Sequence, residues 1–398
     1  MRILYVANYQ GNDLVKNRHI LRNRSLGGSR KIELVSNVLK SKGHDVLILS
    51  TGMPAEGTWK FYKSYESTVS NNEDGGARVF YSSCIDSKYL KFLISFLSSF
   101  KFLLKESKVK PFDLILIYDI EEYPFFISWL YHSFVKRIPI ILEYEDSIEL
   151  SGRGIGLIRR TGWRIMGRWL SGRVKGIIGL NNQLTGSRYC KYDNRYTLPG
   201  IVSKTLCNLS LKRPLPFSGK GPFLAVFSGS LIKAKGVHYI INVAHKFKGR
   251  IKFVISGSGP LLNELTELAE HSGGDVDIVG CLDRMELDKL LTSADILLSP
   301  HEEENSGNIL PFKLVEYLVS GGVVITTKDN RLTDDVFNYC EIMSPGDDAL
   351  ANSLEKVLTE REFMIERAKK GQVWAISKYS ESVVSDSIHK LMLNSVNL

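Results

Sequence analysis

The sequence lacks the marks of disulfide-stapled and metal-stapled folds. Its five cysteines, Cys84, Cys190, Cys207, Cys281 and Cys340, are odd in number and scattered. No CxxC pair and no Cys/His spacing suits a zinc site, so free thiols are expected. Long apolar runs are missing too. The longest, 89–104, contains Lys91 and Lys101 and falls short of the roughly 20 apolar residues that span a bilayer. No cleavable leader precedes the strand-like run Ile3-Leu4-Tyr5-Val6, so a cytoplasmic location is expected. Zinc-finger spacing, an aromatic RNP-like strand and a basic tail are all absent, which argues against a nucleic-acid partner despite a formal charge of +9. That charge points instead to phosphorylated substrates or an anionic membrane surface.

What is present is an alternation of short apolar runs with longer helical patterns over 398 residues, the signature of parallel sheets covered by helices. Strands are expected at Ile3–Val6, Val46–Leu49, Arg78–Tyr81, Leu114–Tyr118, Ile138–Glu143 and Gly176–Leu180. A second series covers Leu224–Ser228, Ile251–Ser256, Val276–Val279, Ile296–Ser299, Val323–Thr326 and Glu341–Met343. The class is therefore α/β, with two doubly wound, Rossmann-like domains. Expected bounds are 1–195 for the first domain, 196–222 for a linker rich in proline and glycine, and 223–375 for the second domain. A helical tail, 376–398, is expected to pack back on the first domain.

Ligands of such sheets sit at the carboxyl ends of strands, so residues that follow strands carry the chemistry. Gly27 and Gly28 precede a helical pattern, where bare backbone amides suit an anion or a sugar. Ser228-Gly229-Ser230 ends a strand, and Lys235 follows five residues later; this is either a diphosphate-neutralising cation or ordinary surface charge. Gly257 and Gly259 lie in a second strand-to-helix turn, and Gly280 ends a third strand. Gly307, Asn308, Ile309 and Leu310 form a loop ahead of a helix that carries Lys313 and Glu316. Three apart, those two share a helical face, either as ligands or as a plain exposed ion pair. After the first domain's middle strands come Asp119, Glu121, Glu145 and Asp146, which either orient acceptor hydroxyls or line a solvated rim.

The order of these motifs resembles the family 4 retaining glycosyltransferases, the glycosyl transferases group 1, with their GT-B fold of two Rossmann-like domains facing a cleft. The resemblance runs through Gly27-Gly28, Leu198-Pro199-Gly200, Ser228-Gly229-Ser230 with Lys235-Gly236, Ser256-Gly257-Ser258-Gly259-Pro260 and Val279-Gly280. It continues in Ser293-Ala294-Asp295-Ile296 and Pro311-Phe312-Lys313-Leu314-Val315-Glu316-Tyr317, which places the chain in the proline-x-lysine-x-x-glutamate-tyrosine subgroup. It implies a sugar transferase, first domain for the acceptor and second for the nucleotide-sugar. Glu316 would anchor the donor ribose, while Lys235 and Lys313 would stabilise the leaving diphosphate. Asn308 stands where the family's first donor-site acid is common, and Ser230 where an arginine is common. No metal or other cofactor is implied; the nucleoside-diphosphate-sugar is substrate, and the acceptor is a glycan or lipid-linked glycan. Surface-polysaccharide synthesis at the inner face of a bacterial plasma membrane is the implied setting, with the segments 89–104 and 159–175 as amphipathic contacts. The alternatives are a GT-B sugar-nucleotide epimerase or hydrolase, and a catalytically degenerate membrane-associated binding protein.

Overall fold

The computed structural model describes residues 1–18, 26–52, 59–69, 76–87, 90–145, 157–303, 311–328 and 334–398. Its contacts divide the chain into two compact units, Met1–Leu198 with Ser382–Leu398, and Pro199–Glu381.

The strands of the first unit are β1 (Arg2–Val6), β2 (Asp45–Ser50), β3 (Phe61–Tyr62), β4 (Tyr65–Thr68), β5 (Arg78–Tyr81), β6 (Cys84–Ile85), β7 (Leu114–Tyr118), β8 (Ile140–Tyr144), β9 (Val174–Gly179) and β10 (Arg195–Thr197). Eight of them form one sheet in the order β10-β9-β8-β7-β1-β2-β5-β4, while β3 and β6 make a small antiparallel ribbon. Only β4 runs antiparallel in the large sheet. Ile, Leu and Val fill β1, β2, β7 and β8 almost without interruption because both sheet faces are buried. Helices Leu90–Val109, Glu122–Phe134 and Leu157–Leu170 supply Leu103, Tyr123, Ile127, Tyr131, Met166 and Leu170 to the core on one face. Helix Leu26–Ser41 ends in a Schellman turn: Gly43 N–H donates to the Lys40 carbonyl at 2.8 Å and His44 N–H to that of Leu39 at 3.2 Å.

Helix Glu381–Asn397 joins this unit from the far end of the sequence. Asn194 Nδ2 donates to the Leu391 carbonyl at 3.0 Å and to Ser395 Oγ at 2.8 Å, and His44 Nε2 lies 2.9 Å from His389 Nδ1.

The second unit holds β11 (Phe223–Ser228), β12 (Ile251–Ser256), β13 (Val276–Gly280), β14 (Ile296–Ser299), β15 (Val323–Thr327) and β16 (Cys340–Met343), all parallel in the order β13-β12-β11-β14-β15-β16. Counted within the unit this is 3-2-1-4-5-6, and the direction of winding reverses between β11 and β14. Asp295 locks that reversal from below, accepting the Phe217 and Leu224 backbone amides at 2.7 and 2.8 Å.

Every strand expected from the sequence forms. Four more form: β4 and β10, short and partly exposed strands at the two edges of the large sheet, and the two-residue strands β3 and β6, too short to carry a hydrophobic pattern. The stretch 196–222 is not uniformly irregular. It begins inside β10, and helix Lys204–Ser210 buries Leu206 and Cys207 in the second unit, with Ser203 Oγ accepting the Leu206 amide at 3.2 Å. None of the cysteines forms a disulfide. Among the described residues no helix is long and apolar enough to cross a membrane.

Candidate functional site

In the second unit the loops after β11, β12 and β13 are stitched together by backbone. Gly229 N–H donates to the Ser256 carbonyl at 3.0 Å, Leu231 N–H to that of Ser258 at 2.8 Å, and Gly257 N–H to that of Gly280 at 2.8 Å. A Cβ on Gly257 would stand 1.8 Å from the Gly229 oxygen, and one on Gly259 2.4 Å from the Leu231 oxygen. These two glycines are therefore demanded by loop packing before any ligand is considered. Gly280 has open space where a Cβ would be, and Ser230 is exposed.

Over this floor stand two lysines. Lys313, on helix Pro311–Ser320, places Nζ 3.9 Å from the centre of the Phe227 ring and 5.1 Å from that of Tyr317. The position a Gly229 Cβ would take is 3.6 Å from the same Nζ. Ser228 N–H donates to the Tyr317 hydroxyl at 2.8 Å, which ties the end of β11 to the lysine-bearing helix. Lys235 sits on the short turn Lys233–Lys235 after β11. Among the described residues neither ammonium meets a carboxylate. Burial first, and then the charge of Lys235, hold Lys313 well below the ordinary lysine range; burial lowers Lys235 to about 8.

His301 follows β14 directly, on the other side of the winding reversal, and is 2% exposed. Its backbone amide donates to Thr327 Oγ1 at 3.1 Å, and the next amide, of Glu302, donates to the Ala234 carbonyl at 3.2 Å, so this loop lies against the Lys235 turn. Burial, then Lys235 and Lys313, push its imidazole down to about 3, so it is neutral at ordinary pH.

Glu316 does not pair with Lys313, which removes the exposed-ion-pair reading of the two. It pairs with Arg284 at 2.7 Å, and the same guanidinium nitrogen meets the buried Asp288 at 2.6 Å. Burial works against the Arg284 charge, but Glu316 and Asp288 more than offset it. Arg284 is the first residue of helix Arg284–Ser293, whose start is set by a capping box: Asp283 accepts the Glu286 amide at 2.8 Å and Glu286 accepts that of Asp283 at 3.0 Å. Arg284, Asp288 and His301 were missed in the sequence. The Asp283-x-x-Glu286 spacing was a legible sign of the helix start, but nothing local announced the long-range ion pair. Gly307, Asn308, Ile309 and Leu310 lie outside the described residues.

In the first unit the corresponding reversal falls between β1 and β7. Asn8, just past β1, donates to Glu121, just past β7, and accepts from Thr51 Oγ1 at 3.2 Å. Asp119 is buried with φ of 60°, its amide donating to the Glu143 carbonyl at 2.7 Å. Glu145 pairs with Lys31, whose Nζ is also 3.5 Å from the fully buried Glu143; Tyr5 donates its hydroxyl to Glu143. Burial drives the Glu143 carboxyl up to about 7 against the opposing pull of Lys31. Gly27 and Gly28 fall in the first turn of helix Leu26–Ser41, and a Cβ on Gly27 would meet nothing. Asp146 lies outside the described residues.

Residues 212–374 match the family described as glycosyl transferases group 1. No curated protein matches the sequence. Among solved structures, the chain is similar to sucrose-phosphate synthase from Thermosynechococcus elongatus, with a TM-score of 0.67 at 13% identity over 98% of both chains. It is similar to HepE of Anabaena in complex with UDP and glucose, with a TM-score of 0.62 at 14% identity over 98% of this chain and 99% of the other. It is also similar to WaaG, a glycosyltransferase involved in lipopolysaccharide biosynthesis, with a TM-score of 0.59 at 13% identity over 96% and 98%. The chain thus has the GT-B fold with two Rossmann-like halves, and its second unit carries a glycosyl transferases group 1 domain, which makes it a glycosyltransferase.

Proposed function

We propose that the protein transfers a sugar, with retention of anomeric configuration, from a nucleoside-diphosphate-sugar to a hydroxyl of a glycan or lipid-linked glycan in bacterial surface-polysaccharide synthesis. The observation that carries this reading is the pair Lys235 and Lys313, two cations that, among the described residues, meet no carboxylate where β11 and β14 diverge. Like charges brought together under partial burial repel unless an anion joins them, and a diphosphate is the anion such an enzyme releases. On this reading the bond from the sugar's anomeric carbon to the diphosphate oxygen breaks as the acceptor oxygen attacks from the same face. The acceptor proton passes to a donor phosphate oxygen. The two lysines supply the positive charge that a metal would otherwise bring, so transfer should persist in EDTA. Glu316 receives the ribose hydroxyls, and Asp119, Glu121 and Glu145 orient the acceptor.

A membrane-facing role has its own support. Helix Leu90–Val109 exposes Leu93 (54%) and Leu97 (63%) beside Lys101 and Lys105, and helix Leu157–Leu170 exposes Ile165 (61%) beside Arg164 and Arg168. Apolar side chains rimmed by cations suit an anionic bilayer surface. A panel of nucleotide-sugars, with product configuration read by NMR, tests the main reading: an inverted product or hydrolysis without acceptor would overturn it. Sedimentation of Leu97→Glu with anionic vesicles tests the second, since undiminished binding would remove it.

A further inference from the structure

The first unit has a second concentration of charge that the transfer reaction does not use. Arg137 lies just before β8 and Arg173 just before β9, so both sit at the amino edge of the sheet, the edge opposite that from which Asn8, Asp119 and Glu145 emerge. With His132, Ser133, Ser171 and Gly172 they line a cavity of about 490 Å³.

The lining is one-sided in charge. Arg173 stacks on Trp169 with its guanidinium carbon 4.9 Å from the ring centre, while Nη1 donates to the Trp169 carbonyl at 2.9 Å. That fixes the side chain over the cavity wall and leaves other guanidinium N–H groups for a ligand. Lys191 adds a third cation, its Nζ 3.7 Å from where a Gly172 Cβ would stand. The Ile138 carbonyl holds His132 Nδ1 at 3.1 Å. Among the described residues, none of Arg137, Arg173 and Lys191 meets a carboxylate.

Two guanidiniums, an ammonium and two serine hydroxyls form a donor set matched to the tetrahedral, multiply charged oxygens of a phosphate group. Chain segments that are distant in sequence bring these groups together, so the clustering is a property of the fold and not of one basic run. We propose that this cavity binds a phosphate group, on a soluble diphosphate or on an anionic lipid headgroup, at a site separate from the sugar donor. Burial, together with the nearby charges of Arg173 and Arg137, lowers the His132 imidazole, and a bound anion would reverse the effect of those charges.

The test compares wild-type protein with the Arg137→Ser/Arg173→Ser double variant in two arms. Both arginines are exposed, and unchanged circular dichroism and thermal unfolding would verify the fold. In the first arm, calorimetry with inorganic pyrophosphate is run on a Lys235→Ala/Lys313→Ala background, which disables the proposed donor site. In the second, the protein is sedimented with phosphatidylcholine vesicles, with and without phosphatidylglycerol. The double variant is expected to weaken one of these by roughly tenfold or more, the scale of losing a charge-assisted hydrogen bond. Loss in the pyrophosphate arm assigns a soluble anion, and loss in the phosphatidylglycerol arm assigns a lipid headgroup. No change in either arm overturns the proposal. Sugar transfer to a soluble acceptor by the folded Arg137→Ser/Arg173→Ser variant should be unchanged, and its loss would overturn the separation of this cavity from the donor site, whereas failure of the donor reading itself would show as no transfer by the wild type.

Discussion

Arg284 Nη2 stands 2.7 Å from Glu316 Oε1, so the carboxylate expected to meet the donor ribose is itself held by a cation from the neighbouring helix. Because the same nitrogen meets Asp288 at 2.6 Å, one guanidinium serves two acids. Arg284→Met should destabilise the second unit by about 2–3 kcal/mol. This is below the ~3–5 kcal/mol of a fully buried pair because the Arg284 side chain keeps 23% of its exposure. Urea unfolding measures it, and Arg284→Lys should recover part of the loss.

Glu316→Ala should weaken donor binding as well as slow transfer, which calorimetry and turnover separate. If Arg284 positions Glu316, Arg284→Lys should raise the donor KM more than it lowers kcat, whereas a purely structural role would reduce the active fraction and leave KM alone.

Removing one electrostatic stabiliser of a leaving group costs roughly 10²–10³ in turnover. Lys235→Ala and Lys313→Ala should each fall on that scale in a folded protein. Near-normal turnover of either variant would deny it the role.

The pH dependence has two opposite signs. Lys235 titrates near 8 in the folded chain against 10.5 for an ordinary lysine, so the unfolded state binds more protons across that interval. Stability contributed by this group therefore rises with pH between about 8 and 10.5. Donor affinity should move the other way and fall above pH 8, as the ammonium proposed to meet the diphosphate is lost. Glu143 behaves inversely to Lys235: it holds its proton up to about 7 against 4.5, and its contribution to stability is lost as pH rises from 4.5 through 7. Thermal unfolding and donor titrations over pH 4–10 would record these trends.

Gly257→Ala tests the loop floor. Its Cβ would meet the Gly229 oxygen at 1.8 Å at a φ of 146°, so one of the two loops must move. A cost of at least about 3 kcal/mol is expected, the upper range for overpacking, with loss of donor binding. A stable variant that binds donor normally would show the loops to be pliant.

The sequence carried a large part of this architecture in local pattern. Runs such as Leu114–Tyr118 and Ile296–Ser299 read as parallel strands because burial on both faces demands almost unbroken Ile, Leu and Val. Lys313 and Glu316 were legible as residues sharing one helical face because helical period places positions three apart together. The edge strands β4 and β10 were not, since exposure on one side relaxes the pattern that marks a strand.

Which partner each site residue takes was decided only by tertiary structure. Glu316 could have paired with Lys313, one turn away, yet it joins Arg284 from a separate helix, while Lys313 rests on the Phe227 ring. His301 gave no signal of its own; it lies beside the candidate site because strand order sets β14 beside β11 and so brings its loop against the Lys235 turn. Arg137 and Arg173 meet for the same reason, each preceding one of two adjacent strands. Local period is written in neighbouring residues, whereas charge pairing depends on distances that exist only once the sheets have ordered their strands.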